Sequence, residues 1–565
     1  MNRCLRAAHA TVAALPETER TPSRRTTLLA ALVSTLLIGM TAASAEDEAQ
    51  SLAELTLGEV SFPIACNAAA QRQFNRAVAT LHSFWYEEAE RAFAAVADTD
   101  PACAMGYWGL AMSQWHQLWY APTDTELKAG SEAVAKARAL GAKTEREREY
   151  IDAIAAFFAD TDKRDHRTRS TAYEKAMEQL YLHYPEDREA AVFYALALNA
   201  TAQPTDKTFA NQKKAGVILN KVFLEQPNHP GVAHYLIHSY DSAPLANLGL
   251  PAAICYSKIA PSVPHALHMP SHIFTRLGKW QDSVSANRAA AAAGQVYAMK
   301  QYGEGVAWDQ SLHAMDYLEY AHLQLAQDQA AKQVVDQVMA FRKAAPESLG
   351  AAYAAAAIPA RYAVERRDWP QAAALSIPPL AFSWEKFPWT KVMIAYARAL
   401  GAARTGDIAG AQAEIEHLQA VRGALLGRSK YWSDQVEVQR LAAAAMLARA
   451  QGKDTEALAG MRQAAELEAS MDKNNVTPGG IVPARELLGD LLLELDQPTE
   501  ALTAYEQSLS TDPNRFRSLY GAANGAVRSG DVAKAKTYYQ QLATLGEHAD
   551  TARPELVEAK TYLGH

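Results

Sequence analysis

Histidines at helical spacing are concentrated in one stretch of this sequence, from His229 to His272. Six of the chain's 16 histidines fall within these 44 of its 565 residues, where an even spread would place about one. His234 and His238 stand four apart in HYLIH, so one helical turn puts both imidazoles on one face. A helix offers two ligands to one metal ion at this spacing. The stretch therefore predicts a metal site.

A second pair, His268 and His272, has the same spacing but contains Pro270. Proline prefers the first position of a helix, so Met269 or His268 is expected to cap a helix whose first turn holds His272. The two imidazoles can still converge, from a loop and from a helix start. HYLIH itself lacks the glutamate of His-Glu-x-x-His, which excludes a zincin-type metalloprotease.

The whole ligand set can be predicted from these pairs and their neighbours. The expected metal ligands are His234, His238, His268, His272, His313 and His116. The residues expected to support them are Asp241, His265 and Asp316. Donors rich in imidazole and poor in carboxylate suit copper or zinc. The histidines would suffice for three ligands to each of two metals, but a mononuclear copper or zinc site is the simpler expectation.

Two readings without a metal remain open. A lone histidine on an apolar helix face is usually a hydrogen-bonded core residue, so the cluster can be a structural network. Six together, however, leave many donors and acceptors to satisfy. The stretch can also belong to a small-molecule pocket with Trp115, Trp119 and Tyr120 as its wall.

Around this stretch, apolar residues at spacings of three and four predict one helix after another. A 34-residue unit of the tetratricopeptide repeat (TPR) type reserves positions for a small residue, an alanine, an aromatic and a proline. In one unit these positions hold Gly489, Ala501, Tyr505 and Pro513. The first three positions recur 34 residues later at Ala523, Ala535 and Tyr539. Near the N-terminus the last three positions are matched by Ala89, Phe93 and Pro101.

The repeats predict an all-α fold, an α-solenoid in which TPR-like helical hairpins form a right-handed superhelix. The pattern lapses between about 115 and 265, where prolines interrupt the helices. The predicted segments are a lead-in over 46–66, a TPR unit and the start of the next helix pair over 67–114, a degenerate region with the histidine pocket over 115–320, and TPR-like repeats over 321–565.

The first 45 residues predict export. Arg24 and Arg25 precede an apolar run from Leu28 to Met40, and Ala43-Ser44-Ala45 supplies a signal peptidase site. We expect residues 1–45 to be an upstream extension and signal peptide, cleaved after Ala45, and the mature protein to be periplasmic or secreted. The apolar run is too short to span a bilayer comfortably, so no stable membrane span is expected after cleavage.

Charge and cysteines add two further constraints. The net charge is −8, with 55 basic residues interleaved among 63 acidic ones, which gives no case for nucleic acid as a partner. Cys66 and Cys103 bracket one helical pair. In an oxidising compartment they could be bridged, and buried thiols are the alternative.

The connector from Met471 to Glu486 contains Pro478, Gly479, Gly480 and Pro483, which make a rigid loop between repeats. It is expected to be a plain connector in which Glu486 lies near a helix N-terminus. Alternatively, its charged residues reach the histidine pocket from the opposite side of the superhelix; these are Lys473, Arg485 and Glu486.

Several long motifs stand out in the sequence, among them FPIACNAAAQ, LHSFWYEEAERAF, HPGVAHYLIHSYD and HALHMPSHIFTRLGKW. They resemble the motifs of exported bacterial TPR proteins of poorly defined function, and the resemblance covers about 60–545. It implies export and a TPR fold, and it implies that the HYxIH, HMPSHI and later histidine motifs occur together; they correspond here to His234 and His238, to His268 and His272, and to His313. Members often carry histidine where this chain has Asn474 or Asn475, and no activity is implied.

Besides binding of a small molecule in the pocket walled by Trp115, Trp119 and Tyr120, two functions follow as expectations. The first is a copper- or zinc-binding protein or metalloenzyme, with an open metal position that meets substrate. The second is an interaction scaffold whose concave face binds a protein or an extended peptide, with structural histidines.

Overall fold

Antiparallel helix pairs follow one another through residues 55–564, the part of the chain that the computed structural model describes. The prediction of an all-α solenoid is confirmed. The signal-peptide prediction for residues 1–45 lies outside the described residues, as does the beginning of the lead-in segment.

The helices that precede the histidine-rich stretch form four pairs. They are α1 (Ala68–His82), α2 (Tyr86–Thr99), α3 (Ala104–Ser113), α4 (Asp124–Leu140), α5 (Glu145–Phe158), α6 (His166–His183), α7 (Arg188–Thr201) and α8 (Ala210–Glu225). Asparagine, threonine and aspartate side chains cap several of their N-termini, such as Asn67 on α1 and Asp165 on α6.

The middle of the chain combines short helices with two short parallel strands. Its elements are α9 (Pro230–Tyr240), α10 (Ala246–Ile259), α11 (Pro264–His268), α12 (Pro270–Arg276), α13 (Trp280–Tyr302), β1 (Val306–Trp308), α14 (Asp309–Gln324), α15 (Asp328–Ala340), β2 (Lys343–Ala345), α16 (Leu349–Glu365) and α17 (Trp369–Ala373). Val306 of β1 pairs with Lys343 of β2.

Regular helical hairpins return in the C-terminal region. The helices are α18 (Pro388–Thr405), α19 (Ile408–Leu425), α20 (Lys430–Ala450), α21 (Asp454–Ala469), α22 (Ala484–Glu494), α23 (Pro498–Thr511), α24 (Phe516–Ser529), α25 (Val532–Leu545) and α26 (Pro554–Leu563).

The Tyr505 side chain shows why the repeat positions need these residue types. Its buried ring lies against α22 and α24, where a Cβ atom added at Gly489 or Gly521 would come within 2.7 or 2.1 Å of it. The Tyr505 hydroxyl donates a hydrogen bond to Asp490 Oδ1 at 2.6 Å. The glycines thus make the room that the aromatic fills, as the TPR pattern predicts.

The C-terminal repeats return to contact the middle of the chain. Trp280 Nε1–H donates to the carbonyl oxygen of Asn514 at 2.7 Å. Arg515 Nη1–H donates to Tyr320 Oη at 2.5 Å, and Arg553 pairs with Asp328. This closure places the connector after α21 beside α9, although the two are more than 200 residues apart in sequence.

A disulfide joins Cys66 to Cys103, which is the first of the two arrangements that the sequence left open. It links the lead-in segment to the residue before α3 across a sequence separation of 37. In the chain-entropy model, closing a loop of this length stabilises the folded state by about 4 kcal/mol, because it lowers the entropy of the unfolded chain. Within residues 55–564, no helix combines the length and apolar character that crossing a bilayer requires.

We expect Gly521→Ala to lower the free energy of unfolding by about 1–3 kcal/mol, because the new methyl group overlaps the Tyr505 ring. Urea denaturation followed by far-UV circular dichroism measures the change. Gly423→Ala, at an exposed position of α19, is the matched control, since its added methyl group meets no atom within 4 Å. Equal stability of Gly521→Ala and the control would contradict this account of the repeat packing.

Candidate metal centre

Helix α9 presents the first pair of histidines. Pro230 occupies its first turn, and His229 caps it by accepting a hydrogen bond from the Val232 N–H at 3.3 Å. His234 and His238 then lie one turn apart, as the sequence predicted, and their Nε2 atoms are 3.1 Å apart.

Two short helices present the next three histidines. Each begins with a proline, and Met269, one of the two caps expected from the sequence, is the N-cap of α12. His265 and His268 lie on α11, and His272 lies in the first turn of α12. These three histidines serve two different groups: His265 joins one, and His268 and His272 join the other from either side of Pro270.

Triad one consists of His234, His238 and His265. One ring nitrogen from each lies within 4.8 Å of the other two. The Nε2 atoms of His265 and His234 are 3.2 Å apart. His265, which was expected to lie behind the ligands, therefore stands beside the first pair.

Triad two consists of His268, His272 and His313, the last of which comes from α14. Its three ring nitrogens also lie within 4.8 Å of one another. The Nε2 atoms of His268 and His272 are 3.0 Å apart, and the His313 ring centroid lies 4.2 Å from that of His268. His313 Nε2 is buried and makes no hydrogen bond.

The two triads are neighbours. The ring centroids of His238 and His272 are 5.8 Å apart, and so are those of His265 and His268. The two HxxxH pairs thus belong to adjacent triads instead of meeting at one point.

Hydrogen bonds on the opposite ring nitrogens determine which nitrogen carries the proton. His234 Nδ1–H donates to the carbonyl oxygen of His82 at 2.7 Å, and His272 Nδ1–H donates to Asp241 Oδ2 at 2.9 Å. His268 Nδ1–H donates to Asn287 Oδ1 at 2.6 Å; the Asn287 amide is oriented because its Nδ2–H donates to the Ser283 carbonyl oxygen. Since all three partners are acceptors, each Nδ1 is protonated.

The Nε2 atoms of His268 and His272 therefore face each other with lone pairs. A neutral imidazole that is protonated at Nδ1 has an unprotonated Nε2, so no hydrogen bond can form across the 3.0 Å between them. The pair is complementary to a cation between the two nitrogens. Acceptors for the N–H of the other ring nitrogen are the usual support of histidine ligands to metals.

A third cluster, formed by His82, Glu189 and His229, lies beside the triads but is saturated with hydrogen bonds. Both imidazoles bind Glu189 through Nε2 at 2.8 Å. Their other nitrogens contact the Tyr235 hydroxyl and the Val232 N–H. This cluster is a structural network, and it orients His82, whose carbonyl oxygen supports His234.

Aromatic side chains enclose both triads. Phe84, which has a left-handed φ of 52°, packs its ring 4.4 Å from that of His234, and the Tyr317 ring lies 4.8 Å from that of His272. The centroid of the Trp119 ring lies 5.8 Å from that of His265 and 4.9 Å from that of His313. These rings exclude water from most of the centre.

Charged residues meet at Asp241, behind His272. Asp241 Oδ1 accepts from Arg276 Nε–H at 2.9 Å, and Oδ2 also accepts from Lys473 Nζ at 2.6 Å. Arg276 in turn binds Asp472. The connector thus reaches the histidine pocket through Lys473. Of the two roles expected for the connector, this is the one in which a charged residue contacts the pocket. Glu486 instead pairs with buried Arg515, and Arg485 with Gln507.

Burial keeps the imidazoles neutral. It lowers the pKa of His234 to about 3 and that of His268 to about 4. Burial, aided by neighbouring histidines, also lowers the pKa of the other four, which are His238, His265, His272 and His313. Neutral imidazoles are the form that binds metals.

Two residues expected at the centre lie elsewhere. His116 packs between Tyr86 and Tyr120, beside Glu126, and joins neither triad. Asp316 binds Arg361 Nη1 at 2.6 Å instead of orienting an imidazole.

Comparisons with protein-family models and with curated proteins give no match. Among solved structures, the human IFIT1 dimer with PPP-AAAA is 11% identical, with a TM-score of 0.36 and coverage of 89% of this chain and 93% of that one. Yeast Tom70 is 12% identical, with a TM-score of 0.28 and coverage of 88% and 96%. At these scores the likenesses carry no inference about what this chain binds.

Sequence reasoning missed the supporting residues His82, Phe84 and Asn287. His82 and Phe84 both fall in the distinctive LHSFWYEEAERAF motif, which therefore supplies residues that lie next to the triads. His82 acts through its carbonyl oxygen, which no side-chain pattern reveals.

We expect the metal-free protein to lose stability in acid, because His234 is neutral when folded. Its pKa falls from 6.5 to about 3 on folding, so its contribution is complete above pH 6.5 and is lost as the pH falls towards 3. The slope for one such group is about 1.4 kcal/mol per pH unit. His234→Gln should make the urea-derived stability curve shallower by about this slope between pH 6.5 and 4.

His417→Gln on α19 is the control, since His417 is exposed. It should leave the slope of the wild type unchanged. Parallel curves for His234→Gln and the wild type would contradict the neutral, buried state of His234.

Proposed function

We propose that this chain is an exported, metal-binding TPR protein in which each triad holds one copper or zinc ion. The observation that carries the proposal is the 3.0 Å approach of two lone-pair nitrogens, His268 Nε2 and His272 Nε2. A purely structural network would place a proton donor between them.

The spacing of the ring nitrogens fits a shared ion. Two nitrogens that each bind zinc at about 2.0–2.1 Å, at angles of about 90–110°, stand about 2.9–3.4 Å apart. The closest Nε2 pairs in the triads are 3.0, 3.1 and 3.2 Å apart. Imidazole donors favour copper or zinc over calcium and magnesium, which take oxygen ligands.

The arrangement also suits catalysis. Three protein ligands leave a copper or zinc ion with a further coordination position, at which it can polarise a water or a substrate. A small cavity of about 80 Å³, lined by His238, Asp241 and Lys473, adjoins triad one. The residues of this chain orient the imidazoles, exclude water with Phe84 and Tyr317, and place the Lys473 ammonium at the rim of this cavity.

The Cys66–Cys103 disulfide supports the proposed location outside the cytoplasm. Disulfides form and persist in oxidising compartments such as the bacterial periplasm.

We expect untagged protein that is loaded with Cu²⁺ or Zn²⁺ and freed of unbound ions to retain about two ions per chain by mass spectrometry of the metal. His268→Gln/His272→Gln and His234→Gln/His238→Gln should each reduce this to about one, because each removes two ligands of one triad. Wild-type protein that retains no metal would show that the histidines form a structural network.

Two further variants sharpen this test. His417→Gln changes an exposed histidine and should retain both ions. Asn287→Leu removes the acceptor behind His268 and should weaken the metal affinity of triad two by about 10–100-fold, with a much smaller effect on triad one. Circular dichroism checks that each variant remains folded.

A second candidate function, binding of an extended peptide, is favoured by a cavity of about 380 Å³ near the connector. Its wall includes Tyr353, Tyr431, Trp389 and Trp432. Trp389 Nε1 is buried without a hydrogen-bond partner, so a ligand carbonyl oxygen would satisfy it.

If peptides bind there, a displayed random-peptide library should yield binders that Trp432→Ala loses and that His268→Gln/His272→Gln retains. Trp432→Ala removes part of the aromatic wall, whereas the histidine variant leaves it intact. Fluorescence anisotropy of a labelled binder measures the difference. A library without enrichment on the wild type would rule out this function.

A further inference from the structure

Trp119 also lines a further cavity, of about 220 Å³, which has no triad histidine among its lining residues. The carboxylates on this cavity belong to Glu87, Glu90, Glu126 and Asp309. No lysine or arginine is among its lining residues. We call it the acidic cavity.

The negative charge of the acidic cavity is poorly compensated by the protein. Burial and the charge of Glu87 raise the pKa of Asp309 to about 7, and burial raises the pKa of Glu87. Arg91 lies nearby, but its guanidinium pairs with Glu88. A positively charged ligand would supply the missing compensation.

Two buried polar atoms at the cavity also lack partners. Gln310 Nε2–H donates to the carbonyl oxygen of Phe84 at 2.8 Å, which leaves Gln310 Oε1 without a hydrogen bond in a side chain that is 7% exposed. His116 Nδ1 makes no hydrogen bond and lies 3.5 Å from Glu126 Oε1, in a residue that is 8% exposed. An amide oxygen can only accept, so Gln310 Oε1 favours a ligand that carries a hydrogen-bond donor, and the surrounding carboxylates favour a donor on a cation, such as N–H.

Aromatic rings form much of the remaining wall. Tyr86, Trp119, Tyr120 and Tyr302 line the cavity together with its carboxylates. Aromatic faces attract organic cations. Trp119 is held in place because its Nε1–H donates to Asp309 Oδ2 at 3.0 Å.

The spacing of the carboxylates in the acidic cavity does not fit a metal ion. Among residues 55–564, three groups of side chains bring their ligand atoms within 4.8 Å of one another: the two triads and the His82–Glu189–His229 cluster. The carboxylates of the acidic cavity form no such group. Their separation favours a cation whose charge and N–H donors are spread over several atoms.

We propose that the acidic cavity binds a small organic cation, a primary alkylammonium or a guanidinium compound. Its N–H groups donate to Gln310 Oε1 and to the carboxylates of Asp309 and Glu87, and its alkyl portion packs on the aromatic wall. This site is distinct from the proposed metal centre and does not depend on it.

Isothermal titration of chelator-treated, dialysed protein with n-butylammonium tests the proposal, with n-butanol as the uncharged ligand of similar size. We expect n-butylammonium to bind at least tenfold more tightly than n-butanol. Equal affinity for the two would overturn the proposal, and so would displacement of n-butylammonium by Ca²⁺ at equal concentration.

Asp309→Asn and Glu87→Gln should each weaken n-butylammonium binding at least tenfold. The asparagine keeps an acceptor for Trp119 Nε1–H, so the wall stays in place. Glu416→Gln is the control, since Glu416 is exposed on α19 and does not line the cavity, and it should bind like the wild type. Unchanged binding by folded Asp309→Asn and Glu87→Gln would overturn the proposal. The metal content of these variants is measured separately, so failure here is distinguishable from failure of the metal centre.

Discussion

The histidine centre depends on three hydrogen bonds that fix the protons of three of its six imidazoles. The His82 carbonyl, the Asn287 amide and the Asp241 carboxylate each accept from an Nδ1–H. Each therefore leaves a lone pair on an Nε2 atom that faces the interior of a triad. Without these acceptors the rings could exchange protons with one another, and the six histidines would be an ordinary buried network.

The superhelix is what brings these acceptors to the centre. His82 ends α1, Asn287 lies on α13, and Asp241 follows α9. Asp241 is in turn held by Lys473, from a connector more than 200 residues further along the chain. Asp241 accepts the Nδ1–H of His272, so the return of the C-terminal repeats to the middle of the chain also helps to fix the position of the proton on His272. The regular repeats are a scaffold for the irregular region, as well as a fold in their own right.

Sequence periodicity was sufficient for the fold and for part of the centre. Gly489 and Tyr505 identify the repeat because a small residue and a ring must meet wherever two helices pack closely. His234 and His238 could be paired because a helical turn fixes their common face. The division into two triads could not be predicted, since it separates His265 from His268 within the single short helix α11 and depends on which neighbouring helices meet each of them. His116 and Asp316 were misplaced because their partners, Glu126 and Arg361, are set by tertiary packing.

Helix α11 contributes His265 to one triad and His268 to the other, within five residues. A rigid element of this length moves as a unit, so any adjustment that improves contacts at one triad displaces a ligand of the other. Ions bound at the two triads would therefore be thermodynamically linked. By reciprocity, each would change the affinity of the other by the same factor, and loading would be cooperative or anticooperative instead of independent.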